Sequence, residues 1–258
     1  MNDTILIKGA GEHATGTAHR LFSAGFKVLM TEIENPICVR KMVSFANAVF
    51  EKEFIVEGVK AKLIEDLNDF DGSFVGVIID EEGKIIKKMK PSIIIDARIA
   101  KKNIDNSIED AELVIGLGPE LKAGRDVHYV IETNRGHDLG RIIEKGFAEA
   151  DTGVPGNIKG ESGKRVLRAP ADGKIITFKN IGDRVEIDEL IAKVGDHGIK
   201  SQLNGMIRGL INDGTKVRKN LKIGDVDPRP EKLNCYTLSD KTRTISRSVL
   251  ELVCRFKN

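Results

Sequence analysis

Inside the segment Thr4 to Lys8 every position is apolar, Ile5, Leu6 and Ile7, and the run stops at Gly9. A short continuous apolar run closed by a turn residue predicts a strand buried on both faces. Beyond the turn Ala14, Ala18, Leu21 and Phe22 recur at helical spacing until Gly25, which ends the helix. A second buried strand, Val28 to Thr31, delivers Glu32 at its end. Further apolar runs at Phe74 to Ile79, Ile93 to Ile95, Leu113 to Ile115 and Val127 to Ile131 each end in polar or glycine residues. Asn35 and Pro36 read as the N-cap and first-turn proline of a helix through Val39, Val43 and Ala46, and Leu139 and Ile143 as the start of another after Asp138. This alternation predicts an α/β, Rossmann-like domain with a mostly parallel sheet over residues 1–160.

The rhythm changes after the Gly- and Pro-containing stretch Thr152 to Gly163, where short strands and turns replace it. Two segments match at an offset of 32: Asp172 with Asn204, Gly173 with Gly205, Ile175 with Ile207, Gly182 with Gly214 and Val185 with Val217. Neither half can close a core alone, so residues 164–230 are expected to form one small all-β unit from two interlocked halves. In residues 231–258, Ile245, Val249, Leu250, Val253 and Cys254 mark an amphipathic helix expected to pack on the first domain.

Composition narrows the function classes. The chain has 258 residues, 40% hydrophobic and 31% charged, and 41 basic against 39 acidic side chains leave a net charge of +2. So even a balance points away from nucleic acid. No apolar run approaches the roughly 20 residues of a spanning helix, and the first residues lack a signal-peptide pattern, so a cytoplasmic chain without membrane association is expected. Cys38, Cys235 and Cys254 are widely spaced and odd in number, which fits reduced thiols better than disulfides or a zinc site.

The candidate chemistry lies at the strand ends, where open α/β sheets bind ligands. Gly9, Gly11 and Ala14 form a G-x-G-x-x-A turn between strand and helix. Gly9 allows the tight turn, Gly11 the approach of a diphosphate to the backbone, and Ala14 close packing of helix on strand. Glu32 lies 21 positions beyond Gly11, where a carboxylate accepts hydrogen bonds from a ribose diol and repels a 2′-phosphate. Asp80, the pair Asp96 and Arg98, and the turn of Gly116 and Gly118 follow other strands. The densest cluster is Glu132, Thr133, Asn134, Arg135, Gly136, His137 and Asp138. If a helix starts behind it, its amides with Arg135 and His137 make an anion cradle, expected beside the glycine turn on the same ligand. No third ligand joins His137 and Asp138, so no metal site is expected.

Two resemblances follow from these motifs. Ala169-Pro170-Ala171-Asp172-Gly173 and Ile181-Gly182-Asp183-Arg184-Val185, with the 32-residue repeat, resemble the biotinyl and lipoyl domain family, a barrel-sandwich of two intertwined halves. That family presents a modified lysine at the hairpin joining the halves. Spacing puts Gly198 at that tip, and Lys200 lacks the family's flanking residues, so neither biotin nor lipoate is expected.

The whole chain resembles accessory proteins of selenium-dependent molybdenum hydroxylase systems, through Gly9-Ala10-Gly11, Met30-Thr31-Glu32, Val43-Ser44-Phe45-Ala46, Glu132 to Arg141, Arg168 to Gly173 and Ile223 to Arg229. The resemblance implies a role in maturing a purine or xanthine hydroxylase, with the hydroxylase apoenzyme and other maturation factors as partners. A nucleotide ligand, NAD or molybdopterin cytosine dinucleotide, would occupy the glycine turn. An NAD-dependent oxidoreductase and a ligand-sensing adaptor remain as alternatives. Whether the chain is an enzyme, and whether it pairs with a second copy, stay open at this point.

Overall fold

Strand β1 (Thr4–Lys8) is buried along its whole length, as its unbroken apolar run requires. It leads through the glycine turn into α1 (Glu12–Ser23), whose buried face is Ala14, Ala18 and Leu21, and then into β2 (Lys27–Glu32). The computed structural model describes residues 4–257 and divides into two units. The first takes the chain up to Pro36, Ser44–Asp151 and the chain from Leu238 onward, and the second takes Ile37–Val43 and Thr152–Thr237.

The first unit continues with α2 (Ala48–Glu51), the hairpin β3 (Glu53–Val56) and β4 (Val59–Ile64), β5 (Val75–Ile79), α3 (Lys84–Met89) and β6 (Ile93–Asp96). After them come β7 (Leu113–Leu117), β8 (Tyr129–Ile131) and β9 (Ile142–Ile143). These strands form one sheet in the order β3-β4-β5-β2-β1-β6-β7-β8-β9. All neighbours from β4 to β8 are parallel, and only the end pairs β3/β4 and β8/β9 are antiparallel. This is an α/β architecture built on a large, mostly parallel sheet. Leu6, Leu29, Ile78 and Ile94 share a core with Ile85 and Met89 of α3. Alternation sends Ile5 and Ile7 to the opposite face. Among the described residues no helix is long and apolar enough to cross a membrane.

Two helices expected from the sequence do not form. Residues 37–43 belong to the second unit, where Leu210 N–H donates to Val39 O at 2.8 Å and the Arg40 guanidinium donates to the carbonyls of Arg208, Asn234 and Thr237. These bonds hold the segment as irregular chain, and only short 3-10 turns, Lys41–Val43 and Phe45–Asn47, remain. After Asp138 the chain turns back instead of coiling. Gly140 takes φ +83° and donates to Glu132 O at 2.9 Å, and β9 pairs antiparallel with β8.

The second unit contains β10 (Val166–Arg168), β11 (Gly173–Thr177), β12 (Arg184–Val185), β13 (Leu190–Val194), β14 (His197–Lys200), β15 (Gly205–Leu210), β16 (Lys216–Val217) and β17 (Lys222–Asp227). They form two antiparallel sheets, β10-β17-β15-β12 and β14-β13-β11-β16. The repeat explains the pairing. Its halves run β11-β12-β13 and β15-β16-β17, and each contributes its short middle strand to the other's sheet. Ile175, Val185, Val194, Ile207, Val217 and Val226 meet in a shared core. Val194 pairs with His197, so the hairpin tip is Gly195 and Asp196, whereas Gly198 and Lys200 lie within β14.

The last helix, α4 (Asp240–Lys257), returns to the first unit with Ile245, Val249, Leu252 and Val253 buried, and it packs along α1. The fit is close: a Cβ on Gly16 of α1 would lie 2.0 Å from Thr242 Cγ2.

Candidate functional site

The carboxyl ends of β1, β2, β5 and β6 surround a cleft of about 440 Å³ with its open mouth included, lined by Lys8, Gly9, Glu32, Ile33, Asp80 and Arg98 among others. Gly9 has φ +90°, a value at which a side chain is strained. A Cβ there would also meet Arg98 Cγ at 3.1 Å. Gly9 is therefore required by the chain itself. Gly11 differs. It stands before α1 with φ −67° and ψ −175°, values open to any residue, and a Cβ on it would find no atom within 4 Å. Neither backbone nor packing explains a glycine here.

The turn is held from behind. Thr15 Oγ1 donates to Ala10 O at 3.0 Å and accepts from Phe45 N–H at 2.7 Å, and Ala46 N–H donates to Ala10 O at 2.9 Å. In front, Glu32 Oε1 accepts from Ala10 N–H at 3.1 Å and Oε2 from Ile33 N–H at 2.8 Å. Burial pushes the Glu32 carboxyl above its ordinary pKa, and those two N–H groups oppose the shift without cancelling it. Ala14 is fully buried against the strands, as close helix packing demands.

Beneath the cleft runs a network that sequence reading assembled only in part. Lys8, its side chain 4% exposed, donates to Asp105 Oδ1 at 3.1 Å and Asn106 Oδ1 at 3.0 Å. Arg98 grips Asp96 through Nε at 3.1 Å and Nη2 at 2.7 Å and reaches Asp105 at 2.5 Å, while Asn106 donates to Asp96 at 2.6 Å. Burial alone would lower the pKa of Arg98, but Asp96 and Asp105 outweigh it and hold the guanidinium charged. Burial likewise pushes Asp105 up, and Arg98 and Lys8 pull it below its ordinary value. In the sequence Lys8 is only the end of a buried strand, and Asp105 and Asn106 lie in a loop without periodicity. The basic residue directly before Gly9 was the one available signal. With both cations paired, Glu32, Asp80 and Glu81 leave the cleft rich in acceptors. Asp80 itself caps α3, accepting from Lys84 and Ile85 N–H at 3.0 and 2.8 Å.

The remaining candidates lie further along the edge. Gly116 is demanded by packing, since a Cβ would come within 2.5 Å of Leu121 Cδ1, and Gly118 by φ +99°. The Glu132 to Arg141 loop is separated from the glycine turn by β6 and β7, three strand spacings or about 14 Å of sheet width. Glu132 is buried and accepts from Asn134 N–H at 2.6 Å and Glu149 N–H at 2.7 Å. Asn134 Nδ2 donates to Glu149 at 2.6 Å, Thr133 is buried, and Gly136 and His137 are exposed. Arg135 forms a two-pronged pair with Asp240 of α4 at 2.6 and 2.7 Å. No helix starts behind this loop, so the expected helix-terminal cradle is absent from it. The first turn of α4 touches both regions: Asp240 meets Arg135, and Thr242 Oγ1 lies 2.9 Å from His13 Nδ1 at the start of α1.

The structure thus brings a glycine turn, a strand-end carboxylate and a cleft together at the carboxyl edge of the mostly parallel sheet of an α/β fold. No family model matches. The "Uncharacterized protein YqeB" of Escherichia coli (strain K12) is 46% identical over 251 residues, covering 96% of this chain and 46% of that protein. The chain thus spans about half the length of the curated relative it matches. Among solved structures, the product-bound ectoine utilization protein EutE (DoeB) from Ruegeria pomeroyi is 10% identical with a TM-score of 0.27, over 87% of this chain and 85% of that one. An aspartoacylase family protein from Mesorhizobium loti is 11% identical with a TM-score of 0.30, over 90% and 87%. A succinylglutamate desuccinylase from Silicibacter sp. TM1040 is 10% identical with a TM-score of 0.26, over 87% and 84%.

These findings correct the family expected from the sequence. The solved neighbours bear names of the aspartoacylase and desuccinylase type, the relative has no assigned role, and none belongs by name to a selenium or molybdenum system. The expected role in hydroxylase maturation is withdrawn, with the oxidoreductase and adaptor alternatives that accompanied it. The physical reason lies in the block that carried most of the resemblance. Within it Glu132 accepts from the N–H groups of Asn134 and Glu149, Arg135 pairs with Asp240, and Gly140 O accepts from Ser248 Oγ.

Proposed function

We propose that this chain binds a nucleotide with an unmodified ribose diol at the Gly9 to Ala14 turn. The observation that carries the reading is Gly11, a glycine that its own φ and surroundings leave unexplained, at the point where a diphosphate must approach the backbone and the amides of α1. The strand order β5-β2-β1-β6-β7-β8 supports it, because it repeats the 3-2-1-4-5-6 order of doubly wound dinucleotide folds, whose ligands lie where the order reverses, here between β1 and β6. Glu32 sets the ribose preference: a half-buried carboxylate accepts from a diol, and a 2′-phosphate would face it and the acidic rim of the cleft. NAD and molybdopterin cytosine dinucleotide both meet this chemistry. The two interlocked sheets of the second unit read as a barrel-sandwich.

Calorimetric titration with NAD and NADP tests the reading. Wild type should bind NAD, bind NADP weakly, and lose NAD binding in Gly11→Val. Equal affinity of wild type and Gly11→Val for NAD would overturn it, as would native mass spectra showing no nucleotide retained under any loading condition.

A further inference from the structure

The outward face of the sheet β14-β13-β11-β16 has an unusual composition. Its four strands read Gly173-Lys-Ile-Ile-Thr177, Leu190-Ile-Ala-Lys-Val194, His197-Gly-Ile-Lys200 and Lys216-Val217, without one acidic residue. Ile175, Ala192, Val194, Ile199 and Val217 point into the core. Alternation and register therefore put Lys174, Ile176, Lys193, Gly198, Lys200 and Lys216 on the outer face. Phe178 follows Ile176 on that face, and Leu190 lies over Gly198, its Cδ1 3.0 Å from where a Cβ would stand. Ile176, Phe178 and Leu190 are 44%, 49% and 41% exposed. None of the four lysines makes an ion pair among the described residues. Lys174 and Lys216 are direct cross-strand partners, and like charges so placed destabilise a sheet.

We infer that this face docks an acidic, amphipathic segment of a partner protein, whose apolar side chains cover Ile176, Phe178 and Leu190 while its carboxylates meet the four lysines. Charge complementarity selects that occupant. A second copy using the same patch would set lysines against lysines. The face measures about 14 Å across four strands and about 13 Å from Lys174 to Phe178, the footprint of a short segment rather than of a broad membrane contact.

Fluorescence anisotropy of the full chain with a short labelled peptide of repeating Asp-Glu-Leu units, at low salt, reads this surface. Wild type should bind, and the Lys174→Glu, Lys193→Glu, Lys200→Glu triple variant should bind roughly tenfold or more weakly. The Ile176→Ser, Phe178→Ser double variant should also lose affinity, and an oligoglutamate of equal length should bind less well than the mixed peptide. Lys216→Glu keeps the test independent of folding failure. It should raise the melting temperature by replacing a like-charge pair, yet weaken the peptide. Equal peptide affinity for wild type and the triple variant would overturn the inference. So would tighter binding to vesicles containing phosphatidylserine than to the peptide, or a charge-reversal effect confined to self-association in sedimentation.

Discussion

Two loops leave the same edge of the parallel sheet, the glycine turn after β1 and the Glu132 to Arg141 loop after β8; a carboxylate ties two backbone N–H groups at each, and they differ in what else they leave open. In the second, charged side chains close on the chain itself: Glu132 ties two backbone N–H groups, Arg135 clamps Asp240, and Gly140 O accepts from Ser248 Oγ. In the first, the turn is braced from behind by Thr15, Phe45 and Ala46, and Gly11 opens onto empty space. The loop with more chemistry-bearing residues is the more self-satisfied of the two. Density of charged residues at a strand end is thus a poor guide to a site. Whether their hydrogen-bonding capacity is already taken is a better one.

The comparison breaks most readily at Glu132. Glu132→Ala takes the charged acceptor from two partly buried N–H groups, and hydrogen bonds to charged groups contribute about 1.5–3 kcal/mol each, so denaturant unfolding should show a loss of about 2–5 kcal/mol. Nucleotide binding by the molecules that remain folded should be unaltered. A stable variant with impaired binding would reverse the roles assigned to the two loops.

Gly11→Val comes next. Its effect should fall on ligand affinity alone, about a hundredfold or 2.7 kcal/mol, with the ligand-free melting temperature within a degree or two of wild type because its surroundings are open. A large drop in ligand-free stability would show a structural demand for glycine at this position.

Glu32 sharpens the contrast through pH. Its folded-state pKa is raised by burial from an ordinary 4.5, so the folded protein binds its proton more tightly than the unfolded chain. The stability this contributes is present below about 4.5 and is lost as pH rises through the higher folded value. Melting temperatures of wild type should therefore fall relative to Glu32→Gln as pH rises from 4.5, and level off once Glu32 is ionised in both states. A wild-type curve parallel to that of Glu32→Gln across this range would show that Glu32 titrates normally.

The smallest effect belongs to Arg135. Its partner Asp240 has a side chain 73% exposed, and exposed pairs contribute about 1 kcal/mol or less. A double-mutant cycle with Arg135→Ala and Asp240→Ala should return a coupling of that size or smaller, diminished by salt. A coupling of several kcal/mol would mean that the first turn of α4 is a rigid link between the two loops.

The sequence by itself determined the elements whose cause is local or periodic. The apolar run of β1, the stop at Gly9, the spacing of Ala14, Ala18 and Leu21 and the long apolar stripe of α4 dictate their elements, because burial of one face stabilises them wherever they dock. The 32-residue repeat is visible for the same reason: two like halves need like patterns of turn glycine and buried aliphatic residue. Tertiary structure alone decided the rest. The good helix start at Asn35 and Pro36 lost to carbonyls that Arg40 satisfies in the other unit's fold. The helix expected after Asp138 lost to Gly140 folding back on Glu132. Lys8 became a buried partner of Asp105 and Asn106, 97 and 98 positions away. Local patterns report which face is buried, but a hydrogen bond between distant residues depends on which strand becomes the neighbour of which, and that choice is made only when the sheet assembles.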